Sequence, residues 1–118
     1  MAKNVQGSCH CGEIQFEVAL PIQMKARCNC SLCSRKGAEI LIIEPEQFQL
    51  LSGEESLGLY QWNSMKARHY FCKNCGIYTH HNRRSDDRMG VNRGCLPTLD
   101  DAELPPQEWV NGAALPLV

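Results

Sequence analysis

Along most of the chain, apolar positions recur every second residue or gather in short unbroken runs. From Glu13 to Ala19, Ile14, Phe16 and Val18 alternate with Glu13, Gln15 and Glu17, the pattern of a strand with one buried face. Met24 to Arg27 reads as a second strand leading into the CNCSLC run, and Ala38 to Ile43, apolar and β-branched at its end, suits a buried strand. Phe48 to Leu51, Leu57 to Trp62, Arg68 to Phe71, Ile77 to His80 and Met89 to Val91 are further short strand candidates, punctuated at Gly53, Asn63, Gly76, Asn82 and Gly94. Helical signals are brief: one turn through SLCSRK after Cys30, and one over Asp100 to Leu104 stopped by Pro105 and Pro106. Many short strands separated by turns predict a mainly β fold. The tail from Pro105 carries Trp109 and Leu115; it reads either as an irregular strap against the body or as a frayed end.

At 118 residues the chain has the length of one domain, 1–118, with a modest core. A 43% hydrophobic and 21% charged composition is globular, and a net charge of −1 argues against nucleic-acid or anionic-membrane partners. The start, MAKNVQGS, lacks the apolar run of a signal peptide, and no segment is long enough to span a membrane. The expected compartment is therefore the cytoplasm, where thiols stay reduced. That changes the meaning of the eight cysteines: in a reducing compartment, grouped cysteines indicate metal rather than disulfides.

The cysteines fall into Cys9-x-Cys11, Cys28-x-Cys30-x-x-Cys33, Cys72-x-x-Cys75 followed by Gly76, and a solitary Cys95. Alternate residues of an extended strand point to one side, so Cys9 and Cys11 can share an ion. A C-x-x-C turn sets two sulfurs about 2.3 Å from one zinc, and Gly76 permits a positive φ that lets backbone amides approach them. Cys9, Cys11, Cys72 and Cys75 make a complete four-thiolate set for a structural zinc, a staple that a small core needs. The triplet then has three protein ligands and an open position, the arrangement of a catalytic zinc. Cys95 can instead close that second site, and other pairings, such as Cys9 and Cys11 with Cys28 and Cys30, are open at this level. Three thiolates leave zinc with a net negative charge, a poor Lewis acid for hydrolysis but a good holder of an incoming thiol in its thiolate form. A small carbonyl compound is the natural electrophile for that sulfur. Arg27, Arg35 and Lys36 flank the triplet and can offset its charge or hold a substrate carboxylate; each taken singly reads as solvated surface charge.

The ordered motifs GSCHCGEIQFEV, RCNCSLCSRKG, HYFCKNCG and VNRGCL resemble the glutathione-dependent formaldehyde-activating enzyme family, which also contains centromere protein V. The resemblance covers Gly7 to about Leu99. It implies a zinc-stapled β-tent, or Mss4-like, fold; a structural zinc on Cys9, Cys11, Cys72 and Cys75; and a catalytic zinc on Cys28, Cys30 and Cys33. It also implies addition of glutathione to formaldehyde, a carbon–sulfur lyase reaction in reverse. Many members have His between the first two cysteines of the triplet, where this chain has Asn29.

Strand alternation turns His10 away from a metal shared by Cys9 and Cys11, so it reads as structural or solvent-facing. His69 reads as packing or hydrogen-bonding. His80 and His81 face opposite sides of a strand, so at most one of them reaches a pocket, and a catalytic role is expected for neither. Arg83, Arg84, Arg88 and Arg93, interrupted by Asp86 and Asp87, read as a charged loop; Trp62 and Trp109 read as packing. Three functions follow: an enzyme adding glutathione or another small thiol to a small aldehyde at the triplet zinc, a zinc-stabilised binding module closed by Cys95, and a thiol redox enzyme using Cys95.

Overall fold

The computed structural model describes residues 3–114. Ten strands and one short helix follow each other as β1 (Asn4–Ser8), β2 (Gln15–Ala19), β3 (Met24–Cys28), α1 (Ser31–Lys36), β4 (Ile40–Ile43), β5 (Phe48–Ser52), β6 (Leu57–Tyr60), β7 (Arg68–Cys72), β8 (Tyr78–Asn82), β9 (Met89–Asn92) and β10 (Gln107–Val110). The fold is mainly β, as the hydrophobic pattern predicts, and α1 occupies the expected SLCSRK segment. Two strands escape that pattern. β1 buries only Val5 and Gly7, and β10 buries no residue fully.

The strands form a three-stranded antiparallel sheet, β1-β2-β5, and a seven-stranded sheet, β10-β3-β4-β9-β8-β7-β6. All neighbours in the larger sheet run antiparallel except β10, which pairs parallel to β3. Register assigns its two faces. One cross-strand row runs Tyr70, His80, Val91, Leu41, Lys25; the next runs His69, His81, Gly90, Ile42, Met24. Directly opposed residues project to the same side. The first row turns toward the small sheet: Leu41 and Val91 join Ile14, Phe16, Val18 and Leu96 in the buried core. Phe48 stacks on Phe16 at 5.1 Å and packs at a tilt against His80 at 4.5 Å, and His80 is buried, a core residue. The second row faces outward and floors a pocket. β4 is buried at all four positions because both its faces are covered.

The tail after Pro105 is an ordered strand, not an irregular strap or frayed end. Trp109 is not its anchor, being 73% exposed. Polar contacts with Asn29 hold it instead: Asn29 N donates to Val110 O at 3.2 Å, Asn29 Nδ2 to Asn111 Oδ1 at 2.9 Å, and Ala113 N to Asn29 Oδ1 at 2.9 Å. Leu115 lies outside the described residues.

Candidate metal centres and the pocket beside one of them

The first cysteine group sits where the two sheets meet. β7 ends on Cys72, and the turn that follows closes with Gly76 N donating to Cys72 O at 2.8 Å. Gly76 has φ +80°, the left-handed conformation its place in the motif requires. From the other side, β1 delivers Cys9, and a turn delivers Cys11. The Cys9 and Cys11 sulfurs converge through that turn rather than through strand alternation, and His10 between them is exposed. Sγ of Cys9 lies 3.6 Å from that of Cys11, which lies 3.7 Å from that of Cys72; all four sulfurs of Cys9, Cys11, Cys72 and Cys75 are within 4.8 Å of one another. A tetrahedral ion with bonds of about 2.3 Å sets its sulfurs roughly 3.8 Å apart, so the set fits zinc. Backbone amides point at the sulfurs: Ile14 N at 3.3 Å from Cys9 and Cys75 N at 3.5 Å from Cys72. Burial pushes the Cys72 thiol up to about 11, and the Cys75 amide opposes it.

The second group is Cys28, Cys30 and Cys33, again with sulfurs within 4.8 Å of one another. Cys28 ends β3, and Cys30 caps α1, its sulfur accepting from Cys33 N at 3.3 Å. A hydrogen bond from Cys33, aided by the amides of Cys30 and Gly112, holds the Cys28 thiol down to about 5. Cys33 is pushed up in turn, chiefly by that same bond. The tail covers this group on one side. A Cβ on Gly112 would meet Cys28 Sγ at 2.3 Å, and Arg84 Nη2 donates to Gly112 O at 2.7 Å. Cys95 joins neither group among the described residues. It is buried, its thiol donates to Tyr78 O at 3.6 Å, and burial pushes its pKa up to about 11.

The triplet opens onto a pocket of about 90 Å³. Met24, Ala26, Ile40, Ile42 and Val110 give it an apolar wall, and His69, His81, Arg83 and Arg84, with Asn63, Ser64 and Ser85, supply polar groups. No carboxylate lines it among the described residues. Arg83 and Arg84 line the pocket, although Arg83 also pairs with Asp86 at 3.5 Å; Arg88 pairs with the same Asp86 at 3.0 Å and Arg93 with Asp101 at 2.9 Å, and neither lines it. Trp62 lines the mouth. Of the three cations beside the triplet, Arg27 and Arg35 donate to backbone carbonyls, Gly37 O at 3.2 Å and Ser31 O at 2.8 Å. Lys36 departs from the surface role. Its Nζ lies 2.9 Å from His69 Nδ1 and 3.6 Å from the centre of the Tyr78 ring. Burial lowers it to about 8, opposed by the thiolates of Cys33, Cys30 and Cys28. Burial also takes His69 down to about 4, with the Lys36 charge adding to it, and takes His81 well below the usual imidazole range.

Sequence reasoning recovers both cysteine groups and sets Lys36 beside the triplet, though as surface charge, and it misses His69, His81 and Gly112 as parts of the site. For His81 a signal existed: alternation requires that only one of His80 and His81 face outward, and it is His81. Nothing local marks Gly112, which arrives by a parallel pairing of Lys25–Cys28 with Gln107–Val110, each partner 82 positions further along the chain.

The family model described as "glutathione-dependent formaldehyde-activating enzyme" matches residues 4–111. Among solved structures, a crystal structure of a Rhodobacter sphaeroides protein is 37% identical, covering 89% of this chain and 99% of its own, with a TM-score of 0.78.

Proposed function

The chain belongs to the glutathione-dependent formaldehyde-activating enzyme family, and from that premise we propose that it is a zinc-dependent enzyme of the carbon–sulfur lyase type, joining glutathione or another small thiol to formaldehyde or a related aldehyde. The observation that supports this most is the gathering of three sulfurs, with no fourth protein ligand among the described residues, at the wall of a pocket. Cys28, Cys30 and Cys33 would hold the catalytic zinc; Cys9, Cys11, Cys72 and Cys75 would hold a structural one. Bound zinc would supply coordination that strips the proton from an incoming thiol and holds its sulfur as thiolate.

The protein's own groups do the rest. Apolar Met24, Ile40 and Ile42 keep water sparse beside the reacting atoms, which strengthens polar interactions there. Arg83 and Arg84 present positive charge in a pocket lined by no carboxylate, which suits the carboxylate-bearing body of a thiol such as glutathione. Gly112 packs against Cys28 and closes that side, so substrate enters from the pocket. The reaction needs no redox partner: a carbon–sulfur bond forms, the carbonyl π pair moves to oxygen, and oxygen ends with the proton the thiol lost.

The test is to mix glutathione and formaldehyde with zinc-loaded protein, following adduct formation by proton NMR and thiol binding by calorimetry. The expected result is glutathione binding and a rate above the spontaneous one. Neither effect at two zinc per chain would refute the proposal. A Cys95→Ala chain that loses one zinc would refute the open triplet; one that keeps both zinc and full activity excludes Cys95 as ligand or redox thiol.

A further inference from the structure

We propose that His69 and His81 are a pair of N–H donors that bind the aldehyde oxygen as it takes on negative charge, an oxyanion site facing the cysteine triplet; this rests on the thiol-addition reading above. The two residues are directly opposed across β7 and β8. Their rings stack with centres 5.1 Å apart and planes inclined by 28°, and both line the pocket that Cys28, Cys30 and Cys33 line. They share the pocket with Arg83, Arg84, Asn63, Ser64 and Ser85, and theirs are its only imidazoles among the described residues.

What fixes them as donors is what stands behind each ring. Lys36 Nζ lies 2.9 Å from His69 Nδ1. An ammonium has only donors, so this nitrogen is the acceptor and the ring's proton resides on Nε2. Tyr78 stands to His81 as Lys36 does to His69, with its oxygen 2.5 Å from His81 Nδ1. A phenol can give or accept a hydrogen bond; here it is assigned as the donor to that nitrogen, which leaves Nε2–H on the second ring too. Neither Lys36 nor Tyr78 is among the residues lining the pocket, so the Nδ1 atoms point away from it and the Nε2–H groups are left for it. The backing groups are tied together, because Lys36 Nζ also sits 3.6 Å above the Tyr78 ring centre. The second ring occupies space that only glycine leaves open: a Cβ on Gly90 would come within 2.4 Å of His81 Cε1 and 2.9 Å of Nδ1.

Two fixed neutral donors in a pocket poor in water are what an addition to a carbonyl needs. As the thiolate forms its bond to carbon, the π pair withdraws to oxygen, and preorganised donors stabilise that charge with no reorganisation during the reaction. The oxygen then takes the proton released by the thiol, delivered by solvent at the mouth.

The experiment has two arms. Long-range proton–nitrogen NMR of zinc-loaded wild-type protein at pH 7 reads the tautomers directly. The expected result is a neutral Nε2–H imidazole at both positions; an Nδ1–H tautomer or an imidazolium at either one overturns the proposal. The second arm measures adduct formation by His69→Leu, His81→Leu, His69→Gln and His81→Gln, each checked for two zinc. Gln keeps an amide N–H near the reach of Nε2. Each Leu variant is expected to lose about 100-fold in kcat, the scale of one oxyanion donor, with KM for the thiol within about twofold, and Gln to recover at least tenfold of that loss. Fully metallated Leu variants with wild-type kcat overturn the proposal, and so do Gln variants as impaired as Leu, which would mark a structural role. A wild-type protein that fails to accelerate the addition refutes the proposed function instead, and the tautomer spectrum then decides on the donor pair alone.

Discussion

Gly112→Ala probes how the tail and the triplet depend on each other. The new Cβ would stand 2.3 Å from Cys28 Sγ and 3.2 Å from Cys30 Cβ, against a normal separation of roughly 3.5–4.0 Å. More than 1 Å must be found, and only two movements supply it. If the tail lifts, it gives up Asn29 N to Val110 O at 3.2 Å, the two Asn29 side-chain bonds at 2.9 Å each, and Arg84 to Gly112 O at 2.7 Å. Four hydrogen bonds at about 0.5–1.5 kcal/mol, with the two exposed ones at the low end, come to about 3 kcal/mol. If Cys28 turns away instead, the triplet loses a ligand. Either way, a metal that needs Cys28 and the tail in place together binds about 100-fold more weakly, since 1.4 kcal/mol is a factor of about ten. A competitive zinc titration resolves the two sites. The first ion, on Cys9, Cys11, Cys72 and Cys75, should bind as in wild type, and only the second should weaken. A second-site affinity equal to wild type would refute the reasoning, because the tail would then not rest on the triplet as described.

Three further expectations follow from the same geometry. Cys72→Ser, which alters a fully buried sulfur at the sheet junction, should remove one zinc and lower stability by several kcal/mol in zinc-replete buffer, and chelator should bring wild type down toward the variant; a variant that unfolds like wild type with zinc present would count against a structural ion there. His80 is held down to about 4 by burial, from an ordinary 6.5. Its share of stability is thus complete above pH 6.5 and is lost as pH falls toward 4, up to about 3 kcal/mol. Denaturant unfolding should show wild type losing about 1 kcal/mol more than His80→Phe between pH 6.5 and 5.5, and equal losses would contradict the assignment of His80 to the core. Asn29→Ala should raise amide exchange of Gln107–Val110 by about tenfold while β4 and β9 keep their protection; unchanged exchange would show that another contact secures the tail.

The mainly β fold was legible because eight of the ten strands carry enough apolar alternation, or enough unbroken apolar length, to declare themselves. The other two do not. β10 owes its place to pairing rather than to a buried face, and β1 buries one face through only Val5 and Gly7; both leave little trace in local composition. The cysteine groups were legible for the opposite reason: ligand spacing is a local constraint, and C-x-C-x-x-C keeps its meaning whatever surrounds it. Lys36 illustrates the limit between them. Its neighbours in sequence describe an exposed helix end, and only the approach of β7 and β8 converts it into the partner of His69. His69 and His81 were each weighed singly, whereas their chemistry belongs to the pair that the β7–β8 register creates.

The same contrast separates the two cysteine groups that could each hold an ion. The four-cysteine group lies at the sheet junction, with Cys9 and Cys72 only 2% and 0% exposed and in the core, so its fourth corner is filled by the protein. At the triplet, the segment that arrives last contributes Gly112, which has no side chain to offer a metal. Its closeness to Cys28 leaves no room for a larger residue on that side, and its amide favours the Cys28 thiolate. The tail thus closes one side of the triplet without completing its ligand set, and the remaining approach is the pocket that holds the His69 and His81 rings. A closed structural site would place a ligand where this chain places a glycine. That substitution of space for a donor is why the triplet, and not the four-cysteine group, is assigned the chemistry.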